Sequence, residues 1–86
     1  MITAAQLRAA RALLGVDQKG LADMAGVSLP TIQRMEASEG NVRGIVDTLI
    51  KVIEALEQAG VELIGENARS EAGGRGVRLR RPRQPD

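Results

Sequence analysis

Apolar residues recur at helical spacing in four stretches of the chain, and polar or glycine-containing breaks separate the stretches. The pattern predicts four helices: Ala4–Leu14, Gln18–Ala25, Leu29–Ala37 and Ile45–Ala59. Thr3, Asp17 and Ser28 stand just before the first three, and each is flanked by apolar residues at the spacing of a hydrophobic staple. Gly15 and Gly26 suit the left-handed residue that follows a helix. Residues adjacent in sequence therefore predict where each of these helices begins and ends.

After Gly60 the spacing of the apolar residues changes from the helical period to the alternation of a strand. Val61–Ile64 and Val77–Arg80 predict the strands of a hairpin, and the glycine-rich, polar segment Gly65–Arg75 predicts the long loop between them. Two prolines in the last six residues indicate a frayed tail. We therefore expect a helical domain over 1–60, a C-terminal β-hairpin extension over 61–80 that serves as a dimerisation element, and a flexible tail over 81–86.

The second and third predicted helices are spaced for a steep crossing across a short turn. Ala22 is small where the third helix must pass over it, and Gly26 takes the turn. Five apolar residues fall on the inner seam of the crossing: Leu21, Ala25, Val27, Ile32 and Met35. Because suitable residues occupy the crossing, the turn and the seam together, the pattern specifically predicts a helix-turn-helix.

On these residues, the stretch 3–59 resembles the Cro and phage-repressor type of helix-turn-helix, the family also called XRE. The resemblance implies a mainly α fold, a four-helix repressor-like domain, here with a short C-terminal β-hairpin. It also implies a homodimeric transcriptional regulator on palindromic operators, with Arg11 and Glu36 paired in a salt bridge. Gly60–Ile64 and Gly76–Arg80 are similar, more loosely, to the endings of short bacterial regulators of this type.

In such a fold the third helix enters the major groove and presents its exposed residues to the bases. Arg34 fits a guanine through a forked contact, and fits a phosphate or a surface ion pair equally well. Gln33 suits adenine or open solvent, and Thr31 suits a base or a phosphate. Leu29 and Pro30 depart from the polar residues common in the family at these positions, and Leu29 suits a thymine methyl or is covered by a partner subunit.

Other residues are candidates for the DNA backbone. Gln18 begins the second helix, whose N-terminus favours an anion, although a solvated side chain is the alternative. Ser28 is primarily a cap whose backbone N–H can reach a phosphate. Asn41 and Arg43 lie in the loop after the third helix, where the family often contacts the backbone; a turn residue and a solvated arginine are the alternatives.

The fourth helix has more apolar residues than one inner face requires. Val46, Ile50 and Val52 predict an exposed stripe, unless the hairpin covers it within one chain. We expect this helix and the hairpin to build a dimer interface together, and strand pairing within or between chains stays open. The residues expected in the interface are Val46, Ile50, Val52, Ile53, Val61, Leu63, Val77 and Leu79.

Composition narrows the classes of function. The chain has no Phe, Tyr or Trp, which argues against base stacking, and no Cys or His, which removes the usual zinc sites. We expect no catalytic constellation, metal or cofactor, and hence no enzyme. The net charge of +1 divides into +1 over 1–43, −4 over 44–71 and +4 over 72–86, so an acidic middle would face away from DNA. Glu62 is expected to pair with Arg78 or Arg80 across the hairpin.

The partners that we expect are double-stranded DNA and a second copy of the chain. Two alternatives stay open: an antitoxin whose C-terminal segment holds a toxin, and a protein-interaction module that binds another regulator through the same fold. The first fourteen residues do not resemble a signal peptide, and no stretch is long enough for a membrane span, so we expect a soluble cytoplasmic protein.

Overall fold

The computed structural model describes residues 2–42, 44–67, 69 and 72–80 of the chain. Within them the chain forms helices α1 (Ala4–Leu14), α2 (Gln18–Ala25), α3 (Leu29–Glu36) and α4 (Val46–Gln58), followed by strands β1 (Val61–Ile64) and β2 (Gly76–Leu79). The mainly α fold with a short antiparallel hairpin is confirmed. The ends of the predicted helices and strands differ from the observed ones by no more than one residue. The predicted tail over 81–86 lies outside the described residues.

The three predicted N-caps are confirmed by their hydrogen bonds. The Thr3 hydroxyl accepts from the Gln6 N–H at 3.1 Å, and the Gln6 side chain accepts from the Thr3 N–H at 2.9 Å, which completes a capping box. Asp17 caps α2 and Ser28 caps α3 in the same i to i+3 manner. At α4, which starts after Ile45, no described side chain caps the helix.

The turn between α2 and α3 has the geometry that the spacing predicts. Gly26 ends α2 in the left-handed region at φ 70°, where a residue with a Cβ is strained. Ala22 is buried at the crossing, so α3 lies close over it. On the seam, Leu21, Ile32 and Met35 are buried, while Ala25 and Val27 are partly buried against the core. The helix-turn-helix is therefore held by small and aliphatic side chains.

Aliphatic side chains from every element fill the core. The largest that are fully buried are Leu7, Leu21, Ile32, Met35, Val52, Leu56 and Val61. The expectation that Val52 lies on an exposed stripe is wrong, because Leu49, Val52 and Leu56 form the inner face of α4. Val61, also proposed for the dimer interface, enters the same core and leaves no surface for a partner.

The hairpin strands pair with each other within the chain, in a register that places Val61 opposite Leu79 and Leu63 opposite Val77. The hairpin packs on α1 and α4. Gln6 of α1 clamps it, because its side-chain amide donates to the carbonyl oxygens of Ile64 and Gly76, both at 2.9 Å. The hairpin is therefore part of the folded unit.

Charged side chains cover the outer face of the hairpin. Glu62 and Arg78 are opposite one another in the register and form an ion pair, which confirms the cross-strand pair expected for Arg78. Arg80 donates instead to the main-chain oxygen of Glu57 at 2.6 Å. These arginines thus bind acceptors at the acidic end of α4 and on β1.

Candidate nucleic-acid interface

One buried carboxylate ties the first three helices together. Glu36, at the end of α3, accepts from Arg11 Nε at 2.6 Å and Arg11 Nη2 at 2.8 Å, so the expected salt bridge is confirmed. Its side chain is 3% exposed, against 21% for Arg11. Gln18 of α2 donates to the same carboxylate at 3.2 Å, and Arg8 of α1 donates to the Glu36 main-chain oxygen at 2.7 Å. The orientation of α3 is thereby fixed from two sides.

The electrostatics of this cluster keep Arg11 charged. Its hydrogen bonds with Glu36 raise the pKa of the Arg11 guanidinium, which burial alone would lower. The pKa of an arginine already lies far above neutrality, so the raised value adds no titration in the working range of pH. Arg11 therefore stays charged in ordinary buffers.

The outward face of α3 is open to solvent. Pro30, Gln33 and Arg34 are exposed, whereas Leu29 and Thr31 are partly buried. Ile32, Met35 and Glu36 take the opposite face and are buried. The sequence-predicted base-facing residues are therefore brought together on the side of α3 that is open to solvent, which we call the α3 face: Leu29, Pro30, Thr31, Gln33 and Arg34.

Three polar side chains form a hydrogen-bonded row at this surface. The hydroxyls of Ser28 and Thr31 lie 2.7 Å apart. Arg34 Nη2 donates to the Thr31 hydroxyl oxygen at 3.3 Å. Sequence reasoning named all three residues as DNA candidates but did not predict that they would contact one another. The row follows from their i, i+3, i+6 spacing on a helix.

The residues predicted to contact the DNA backbone differ in their exposure and in the bonds that they make. Gln18 is partly buried, and its amide nitrogen is engaged with Glu36. An amide carries two protons, so this bond leaves the second one for an acceptor outside the protein. Asn41 is exposed and is bridged to Thr3, which fixes the loop after α3 against the start of α1. Arg43 lies outside the described residues.

A groove runs from the α3 face to the start of α4. Its volume is about 510 Å³, and it is lined by Thr31, Arg34, Met35, Ser38, Gly44, Ile45 and Thr48. Three hydroxyl groups and a guanidinium line it, together with the apolar side chains of Met35 and Ile45. The groove connects the surface that carries the candidate base-facing residues with an apolar surface on α4.

That apolar surface consists of Ile45, Val46 and Ile50, which we call the α4 patch. These side chains are 74%, 64% and 46% exposed, so the hairpin does not cover them. Sequence reasoning identified Val46 and Ile50 as exposed but did not name Ile45, the first residue of the predicted helix. Of the other interface candidates, Leu79 is exposed, while Ile53, Leu63 and Val77 are partly buried against the core.

Neither a metal site nor a membrane-spanning helix is found in the part of the chain that the structure describes. No three His, Cys, Asp or Glu side chains lie close enough together there to bind a metal ion. None of the described helices has the length and apolar character that crossing a bilayer requires.

Comparison with known proteins identifies the class. The helix-turn-helix family model HTH_3 matches residues 7–58, more than half of the chain, from within α1 to the last residue of α4. The chain belongs to this family, the Cro and phage-repressor or XRE type of helix-turn-helix protein. It is a DNA-binding regulator of that class. Among curated proteins, none matches the sequence closely enough to count as a relative.

Proposed function

We propose that the protein is a sequence-specific regulator of transcription, a dimeric repressor that reads a palindromic operator through the major groove. The observation that carries the proposal is the α3 face. Its side chains, three of them polar, project from a helix whose other side is fixed by buried Ile32, Met35 and Glu36. A helix exposed in this way fits the width of the major groove of B-DNA.

Arg34 is the residue that we expect to read a base. Its guanidinium is exposed and donates one hydrogen bond to Thr31; its other N–H groups bond to no residue that the structure describes. A guanidinium fork matches the O6 and N7 acceptors of guanine. Gln33, exposed beside it, is suited to adenine. The α3 face therefore offers donors where the groove edge of a purine offers acceptors.

Contacts to phosphates would fix the protein on the duplex. On α2, the proposed phosphate donors are the backbone N–H groups of Gln18 and Lys19 at the start of the helix and the second amide proton of Gln18. Asn41 and Arg43, in the loop after α3, are the other proposed backbone contacts. Residues 1–43 carry a charge of +1 and residues 44–71 a charge of −4, so the acidic part belongs away from DNA.

The dimer is proposed to form through the α4 patch, with a second copy of the chain as its occupant. One helix-turn-helix contacts only a few base pairs, and specific sites generally need two copies about 34 Å apart. The α4 patch adjoins the groove beside α3, and a twofold axis through the patch that runs parallel to the outward direction of the α3 face would place both α3 faces on one side of the dimer. Such symmetry matches a palindromic operator.

Selection of bound duplexes from a random pool, followed by Arg34→Ala, tests base reading. We expect the variant to bind the selected operator about 5- to 150-fold more weakly, because a bidentate contact is worth roughly 1–3 kcal/mol. Preference should relax at one base pair of each half-site. Arg78→Ala is the matched control, since Arg78 is an exposed arginine on the hairpin. Equal affinity and preference for wild type and Arg34→Ala would remove Arg34 as the reader.

Affinity for duplex of random sequence, measured against salt, tests whether the chain binds DNA at all. Each phosphate that is neutralised releases counterions, so several contacts predict a steep fall of log affinity with log salt. A slope near zero would contradict DNA binding and favour a module that binds only proteins.

A further inference from the structure

The geometry points to Thr31 as a positioning residue that aims the Arg34 guanidinium at a guanine, which makes it a determinant of operator specificity. This inference rests on the proposed function and deepens it. It concerns which residue sets the direction of the reading side chain. Thr31 is partly buried, whereas Arg34 is exposed and extends from the helix surface.

Thr31 is held firmly enough to direct another side chain. Its backbone N–H donates to the main-chain oxygen of Ser28 at 3.1 Å, and also lies 3.3 Å from the Ser28 hydroxyl. Its own hydroxyl is 2.7 Å from that of Ser28. A β-branched side chain has few χ1 rotamers in a helix, so these bonds select one orientation of the Thr31 hydroxyl.

Arg34 gains from that orientation. A long, exposed arginine loses considerable rotamer freedom when it binds, and pre-orientation before binding reduces that loss. The bond from Nη2 to the Thr31 hydroxyl, at 3.3 Å, restrains the guanidinium and uses one of its five N–H groups. The remaining donors include those needed for a forked contact with guanine.

The hydroxyl protons of Ser28 and Thr31 also favour guanine. The hydroxyls of Ser28 and Thr31 carry one proton each, and one of these is used in the bond between them. Whichever hydroxyl donates in that bond, the other keeps a proton for an outside acceptor. Together with the guanidinium, the row therefore presents mainly donors to the groove. The O6 and N7 atoms of guanine, and the phosphate oxygens, are acceptors only.

The test compares Thr31→Val with Thr31→Ser, each in the wild-type and Arg34→Ala backgrounds. Valine keeps the branched shape and removes the hydroxyl, whereas serine keeps the hydroxyl. The readout is the ratio of two affinities, for the selected operator and for one altered at the base pair whose preference Arg34→Ala relaxes. Thermal melting of each variant checks folding, since threonine and valine have similar helix propensities.

We expect Thr31→Val to lower this ratio about three- to tenfold, as the loss of one hydrogen bond predicts. Thr31→Ser should restore it, and Thr31→Val should change nothing when Arg34 is already alanine. An unchanged ratio in Thr31→Val, or no rescue by serine, would overturn the inference. A loss that persists in the Arg34→Ala background would also overturn it, because Thr31 would then contact the base directly. Failure of the wild-type protein to bind or discriminate duplexes would instead refute the proposed function.

Discussion

Glu36 and Arg11 share an ion pair but differ in their access to water. The Glu36 side chain is almost completely buried, and Arg11 retains about a fifth of its surface. Removing one member of such a pair leaves the other charge to be stabilised by whatever surrounds it. Arg11 can turn toward solvent, whereas Glu36 would keep, among the residues that the structure describes, only Gln18 as a side-chain donor, at 3.2 Å. The two residues are therefore not equivalent in their contribution to stability.

We expect Arg11→Met to lower the free energy of unfolding by about 3–5 kcal/mol, because it strands a buried carboxylate. Glu36→Gln should cost less, about 1–2 kcal/mol, since the amide oxygen still accepts from Arg11 and the guanidinium can be hydrated. Urea denaturation of both variants measures the difference. Equal losses, or a larger loss for Glu36→Gln, would contradict the argument from exposure.

The resemblance implied the pair of Arg11 with Glu36 but did not extend to Gln18. The direction of a side chain at the start of α2 depends on where the end of α3 lies, and that position is set by the crossing of the two helices. Sequence reasoning therefore assigned Gln18 to a phosphate, and its contact with Glu36 became visible only in the folded chain.

At the scale of elements, the hairpin is held to the helical domain by Gln6 as well as by apolar packing. The Gln6 amide donates to one main-chain oxygen on each strand, and its side-chain oxygen accepts within the α1 capping box. Gln6 is buried, so each of these atoms needs its partner. A strand pair this short is marginal without such support.

Gln6→Glu separates the two roles, because a carboxylate can still accept in the capping box but cannot donate to the strands. We expect a loss of about 2–4 kcal/mol in the free energy of unfolding at pH 7, with faster hydrogen exchange in β1 and β2. Gln33→Glu, at an exposed position of α3, is the matched control.

The penalty of Gln6→Glu should shrink at pH 4. Burial beside carbonyl oxygens raises the pKa of a carboxyl group, so the folded variant binds a proton at a pH at which its unfolded chain does not. Its stability relative to the wild type then falls as the pH rises through that interval. The protonated acid can also donate to one of the strand oxygens. If the loss of stability caused by Gln6→Glu is the same or larger at pH 4, Gln6 does not hold the hairpin through its donated hydrogen bonds.

At the scale of the whole molecule, the α3 face and the α4 patch adjoin the same groove. A change in the α4 patch is therefore expected to act on DNA binding through assembly. It would not remove any contact with a base, since Ile50 lies on α4 and outside the α3 face.

Ile50→Gln tests this arrangement against Leu13→Gln, a substitution of comparable exposure, 46% and 42%, at the end of α1. We expect Ile50→Gln to weaken dimerisation at least tenfold, because burying a whole isoleucine is worth about 1.5–3 kcal/mol, roughly half of each Ile50 is still exposed, and the dimer contains two. Leu13→Gln should leave dimerisation unchanged. Sedimentation equilibrium measures both. A wild-type protein that stays monomeric at high concentration, or equal effects of the two substitutions, would refute the α4 patch as the interface.

The sequence by itself determined the limits of the helices and the crossing of α2 with α3. These features depend on neighbours three or four residues away: Thr3 with Gln6, Asp17 with the N–H of Gly20, and the small Ala22 before Gly26. Hydrogen bonds and steric limits over so few residues are readable from spacing. The composition of the α3 face followed from the same periodicity.

Only the tertiary structure decided which apolar residues of α4 and the hairpin remain on the surface. Apolar side chains surround more than one face of α4, so periodicity could not separate buried Val52 from exposed Ile50. Val61 became core because the chain folds back after α4 and places β1 against the helices. Burial depends on contacts between segments distant in sequence, such as Gln6 with Gly76, and local spacing does not specify those contacts.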